Sequence, residues 1–191
     1  MASGARRTGD FDVFVDRQHQ AAAAMSEDMD WNKERDEWLR YLDFLYESIE
    51  GFLKSYIDAK KIGCHYQEIE LNEDDIGSYK ARKLILRIGR QEITLTPVGT
   101  LLIGSKGRVD VLGPAGRTRL VLVDDHIKNP RSFFHVTMHP VGRKSVSPSV
   151  PPPARMPINW TWKILSSPPG LELIELTRQS LFDMIMEVTN G

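Results

Sequence analysis

The sequence predicts an α+β fold, with a long N-terminal helix and a C-terminal helix packed on an antiparallel β-meander. Three observations predict it. Apolar residues recur at steps of three and four between Asp30 and Ile62. The rhythm changes to a step of two near residue 79 and holds through a series of short runs broken by glycine-rich turns. The helical step returns from Thr177 to Val188. The order helix, sheet, helix is that of an α+β domain rather than of alternating βαβ units.

Residues 1–25 read as a loosely ordered tail, because they hold no sustained periodicity and include the run Ala21 to Ala24. Residues 26–191 read as one domain. In its first helix, Trp31, Trp38, Leu42, Leu45, Ile49, Phe52, Leu53, Tyr56 and Ile57 draw an apolar stripe. Acidic residues crowd its start, and Lys60 and Lys61 close its last turn, as the helix macrodipole favours. Gly63 is placed to act as a left-handed C-cap, and Gly51 predicts a bend or break within the helix.

Residues 64–75 predict a short strand ending in the acidic turn Glu73-Asp74-Asp75. Next, Leu84, Leu86 and Ile88 alternate with Lys83 and Arg87, and Ile93 and Leu95 continue the pattern. Leu101–Ile103, Arg108–Leu112 and Arg117–Asp124 follow, separated by Gly104-Ser105-Lys106-Gly107 and Gly113-Pro114-Ala115-Gly116. Such spacing predicts consecutive hairpins, a meander of four to six strands with one apolar and one polar face. Ser132–Met138 reads as a further strand, and the proline-rich stretch 145–157 as an extended loop that cannot enter a sheet. Asn159–Leu165 alternates again, with Trp160, Trp162 and Ile164 on one side. In the final helix Thr177 is the expected N-cap, with Leu176 and Leu181 at the two positions of a hydrophobic staple.

A net charge of −1 conceals a strong polarity: residues 1–78 hold 9 Lys and Arg against 18 Asp and Glu, and residues 79–156 hold 14 against 4. The meander thus carries Lys83, Arg87, Lys106, Arg108, Arg117 and Arg119, a candidate cationic face for phosphates. Only Tyr79 is aromatic across residues 79–131, too few rings for base stacking along a single strand. The single cysteine, Cys64, allows no intrachain disulfide and favours a reducing compartment. No secretory leader and no apolar run of about 20 residues is present, so a cytoplasmic protein with no membrane contact is expected. The triplet Asn159-Trp160-Thr161 therefore carries no expectation of glycosylation.

The motifs of familiar enzymes are missing. His135 and His139 have a zinc-ligand spacing for a helix, but on a strand they stand about 13 Å apart and share no metal. Asp124, Asp125 and His126 follow an apolar run and are candidates for a divalent cation or a general base, with a hairpin turn as the plainer alternative. Glu68 and Glu70 would need to converge on them. Cys64 and His65, adjacent on a strand, point to opposite faces and make no nucleophile pair. Neither glycine-rich turn has the spacing of a phosphate loop or the helix that should follow it.

With no cofactor motif and no catalytic constellation, the expected function is a non-catalytic protein-interaction module, a small accessory or regulatory protein. It would bind another protein or a second copy of itself, with Trp31 and Trp38 as candidate anchors. The proline-rich loop is itself a candidate ligand for an aromatic-lined partner. The alternatives are a nucleic-acid-binding domain using the basic meander and a metal-dependent hydrolase built on Asp124, Asp125 and His126.

Overall fold

A computed structural model describes residues 11–13, 15–16, 30–100, 105–127, 158–166 and 170–190. Leu101–Ile103, the expected strand at Ser132–Met138 with His135 and His139, and the proline-rich stretch 145–157 lie outside the described residues.

Helix α1 spans Trp31–Asp58 without a break at Gly51. Asp30 caps it, accepting from Lys33 N at 3.2 Å. Its C-terminus departs from expectation. Lys60 N donates to Ile57 O and Lys61 N to Tyr56 O, both at 2.9 Å, which is a Schellman closure with Lys60 at φ 56°. The left-handed residue is therefore a lysine, while Gly63 already lies in the first strand.

Seven strands follow, β1 (Ile62–Glu73), β2 (Gly77–Ile88), β3 (Gln91–Gly99), β4 (Gly107–Leu112), β5 (Arg117–Asp124), β6 (Trp160–Leu165) and β7 (Leu173–Glu175). They form one sheet in chain order, antiparallel at every step; β1 to β5 fall within the four to six strands expected of the meander, β6 matches the alternation expected at Asn159–Leu165, and β7 is additional. Helix α2 (Arg178–Asn190) is the last described element. Thr177 caps it as expected, accepting from Ser180 N at 3.2 Å, and Leu176 packs at the edge of the core that buries Leu181.

One apolar cluster joins the sheet to both helices. Trp38, Leu42, Leu45, Ile49 and Leu53 of α1 and Leu181, Met184 and Val188 of α2 meet Leu84, Leu86, Ile93, Leu95, Val109, Val111, Leu120 and Leu122 of the sheet. Side chains of this kind stabilise a fold by about 1.5–3 kcal/mol each when removed from water. Two glycines admit the closest approaches. A Cβ on Gly107 would lie 2.1 Å from the Trp38 ring, and one on Gly113 would lie 2.3 Å from Val188 O.

The β1–β2 hairpin pairs continuously over twelve residues, from Ile62↔Ile88 to Glu73↔Gly77. In unbroken register Ile62, Cys64, Leu86 and Ile88 share one face, and Ile69, Leu71, Tyr79 and Ala81 share the other. Both sets nevertheless pack on the same core. The ribbon turns over along its length, as the strong twist of a two-stranded segment allows, because β3 pairs only with Leu84–Ile88 of β2. Its tip is pinned back: Glu73 accepts from Tyr79 Oη and, at 2.8 Å each, from Thr100 N and Thr100 Oγ1.

The outer face of the sheet is polar at Arg87, Asp110 and Arg119 but buries Ile85, Val121, Val123 and Lys163. The expected simple alternation thus holds on the core side only. No helix of the described residues is long and apolar enough to cross a membrane.

Candidate functional site

Beside its core stripe, α1 carries a second apolar row, Tyr41, Phe44 and Phe52, interrupted by Ser48. Steps of three and four place it on one side of the helix, rotated away from the core. Strand β6 faces it with Trp160 and Trp162, which the period of two sets on the same face. Trp162 joins the two elements, donating from Nε1 to Tyr41 O at 3.0 Å and resting 5.9 Å from the Trp38 ring.

Between them lies a groove of about 760 Å³, lined also by Leu176 just before α2. Phe44 is 63% exposed at its rim, whereas Tyr41, Phe52, Trp160 and Leu176 are half-buried. Tyr56 and Phe182, with centroids 5.8 Å apart and edge to face, extend aromatic surface toward the C-terminal end of α1. Asn159, Thr161 and Ser48 supply polar groups along the walls.

The end nearest the N-terminus of α1 is charged. Lys106, with a side chain 12% exposed, reaches Glu37 at 2.7 Å and Glu34 at 3.1 Å, and its Nζ lies 5.5 Å from the Trp160 ring centroid. Burial alone would lower the ammonium pKa, but the two carboxylates outweigh it and hold it above the usual lysine value. Lys106 is thus a fixed part of the groove end rather than a cation of the outer face.

The other basic residues are also dispersed. Arg87 pairs with Glu92 at 3.1 Å and Arg108 with Asp110 at 2.9 Å. Lys83, Arg117 and Arg119 have no ion pair among the described residues, although Asp110 stands opposite Arg119 in the β4–β5 register. The expected shared stripe therefore reduces to three cations without a carboxylate partner.

Asp124, Asp125 and His126 form the turn that closes β5. Asp124 Oδ1 accepts from His126 N at 3.1 Å and meets its Nδ1 at 2.8 Å, and these contacts hold the carboxyl below its ordinary pKa. Lys163 Nζ binds Asp125 O and Ile127 O at 3.2 and 3.3 Å and bridges to Asp125 Oδ1 at 3.5 Å. Glu68 and Glu70 are on β1, with three strands between them and β5. Among the described residues no three His, Cys, Asp or Glu side chains stand together as a metal would need.

Trp38 is fully buried against Gly107 and Trp162, so it packs the core and offers no partner anchor; Trp31 is half-buried at the first turn of α1. Cys64 Sγ donates to Glu50 Oε1 at 3.3 Å, which also accepts from Tyr66 Oη at 2.7 Å. Burial, then this hydrogen bond and the carboxylate charge, push the thiol up to about 12. His65 is exposed on the opposite face.

Sequence reasoning missed the row formed by Tyr41 and Phe44 and assigned Phe52 to the core stripe. The available signal was that Tyr41 and Phe44 are aromatic residues outside the phase of that stripe. No protein-family model, curated protein or solved structure matches the chain.

Proposed function

We propose that the chain is a non-catalytic protein-interaction module that docks a segment of another protein in the groove between α1 and β6. The observation that carries this reading is Phe44, 63% exposed within a groove whose other rings are half-buried or, for Trp162, buried. A lone exposed apolar side chain is ordinary. A row of rings sunk in a groove, with polar groups along its rim, has the anatomy of a protein-binding surface. Reactive groups among the described residues favour the same reading. Burial, with the hydrogen bond to Glu50, holds Cys64 protonated, and Asp124 and His126 are occupied by a turn.

Affinity purification from the native cell tests it with three forms of the full chain: wild type, Phe44→Asp, and the pair Arg117→Glu with Arg119→Glu. A stoichiometric partner should accompany the wild type and the double variant and be lost from Phe44→Asp. That variant should keep its stability within about 0.5 kcal/mol, since it changes an exposed site. Loss from the double variant alone, with nuclease-sensitive recovery, would transfer the function to nucleic acid and the basic face.

A further inference from the structure

The charges of the groove indicate what kind of segment fits it, an inference that rests on the docking reading above. Two charged residues line it, Glu37 and Arg40. Glu37 is satisfied by Lys106 at 2.7 Å. Arg40 is exposed, one turn before Phe44 on α1, and has no ion pair or hydrogen bond among the described residues. Lys106 engages Glu37 together with Glu34, so Arg40 is the lining charge that no partner among the described residues occupies, and it sits at the end of the aromatic row.

We propose that the groove takes an apolar segment of a partner protein bearing a carboxylate beside its apolar anchors, and that Arg40 receives that carboxylate. A guanidinium binds a carboxylate with two parallel hydrogen bonds, and a bound apolar segment strengthens them by excluding water. The same charge argues against occupation by the chain's own linker. Residues 128–157 carry Lys128, Arg131, Arg143, Lys144 and Arg155 and not one Asp or Glu. That segment brings only like charge to Arg40, whereas an acidic partner segment complements it.

A displayed library of random twelve-residue peptides, selected on the full chain, reads the preference directly. Wild type should enrich peptides with apolar anchors and an Asp or Glu at a fixed spacing, by about tenfold over the unselected library. Arg40→Met should keep the apolar anchors and lose the acidic preference; Arg40→Glu should replace it with Lys or Arg. Phe44→Asp should enrich nothing. Enrichment of apolar anchors on wild type without an acidic residue, or the same acidic peptides from Arg40→Glu, would overturn this inference and leave the docking groove standing. No enrichment on wild type would overturn both. A wild-type dimer in sedimentation that Phe44→Asp dissociates would make a second copy the occupant and contradict the proposal as well.

Discussion

A Cβ added to Gly107 would lie 2.1 Å from Cζ3 of Trp38, so the indole of α1 fills the space that a side chain at the start of β4 would take. Trp38 in turn lies against Trp162, whose Nε1 holds Tyr41 O. The position of the groove wall thus depends on a glycine that does not itself line the groove.

Gly107→Ala should therefore destabilise the fold by about 2–3 kcal/mol, the magnitude of an overpacked core. Gly51 gives the opposite case: it lies inside α1, and its added Cβ meets nothing within 4 Å. Gly51→Ala should stabilise by about 1 kcal/mol through helix propensity alone. Urea unfolding of the two variants checks both signs, and equal signs would contradict the packing described.

Lys60 holds φ at 56° to close α1, a conformation that disfavours a side chain. Lys60→Gly should raise stability by about 0.5–1 kcal/mol, because the relief of strain exceeds the added freedom of the unfolded chain. Gly63→Ala, in extended backbone with its Cβ 3.7 Å from Arg87 Cβ, should not destabilise by the amount expected of a lost left-handed cap. Thermal melts of the pair locate the cap.

The Cys64 thiol is pushed up to about 12 from 9.0. Alkylation by iodoacetamide at pH 8 should be about a thousandfold slower in the folded chain than in urea, following the smaller thiolate fraction. Glu50→Gln should speed it by removing the carboxylate charge while leaving the burial. A raised acid favours the folded state while it keeps its proton. The contribution is therefore complete below pH 9.0 and is lost as pH rises from 9.0 to about 12. Equal alkylation rates in the folded and unfolded chain would contradict the burial of the thiol, and an unchanged rate in Glu50→Gln would contradict the Glu50 contact.

Of the six cations of the candidate face, Lys83, Arg117 and Arg119 lack ion pairs among the described residues. Any binding to duplex DNA should thus release counterions for about three phosphates, a slope of about −2.7 in log K against log salt. A filter-binding salt titration measures it. A slope near that for six phosphates would mean that Arg87, Lys106 and Arg108 leave their carboxylates.

The helices were legible in the sequence because a single step of three and four sets the buried face of each. Thr177 and Leu181 were legible too, since capping is local. The cap at Lys60 was not, because a glycine three residues on offered the more favourable left-handed residue. The hairpin's inversion was hidden for a different reason. Period-two reading assumes that one face stays buried, and β1–β2 gives each face to the core in turn. Of the candidate sites, Asp124 and His126 could be read as a turn, whereas the burial of Trp38 and Lys106 depends on strands far away in sequence. The groove itself joins residues 37–52 to residues 159–176, a pairing that no local pattern encodes.

The most direct measurement places a photo-reactive benzoylphenylalanine at position 44 and, in a separate chain, at position 117, and illuminates both in the native cell. A docking groove predicts one discrete adduct from position 44, with its partner peptide identified by mass spectrometry, and none from position 117. Adducts from position 117 with none from position 44 would contradict it.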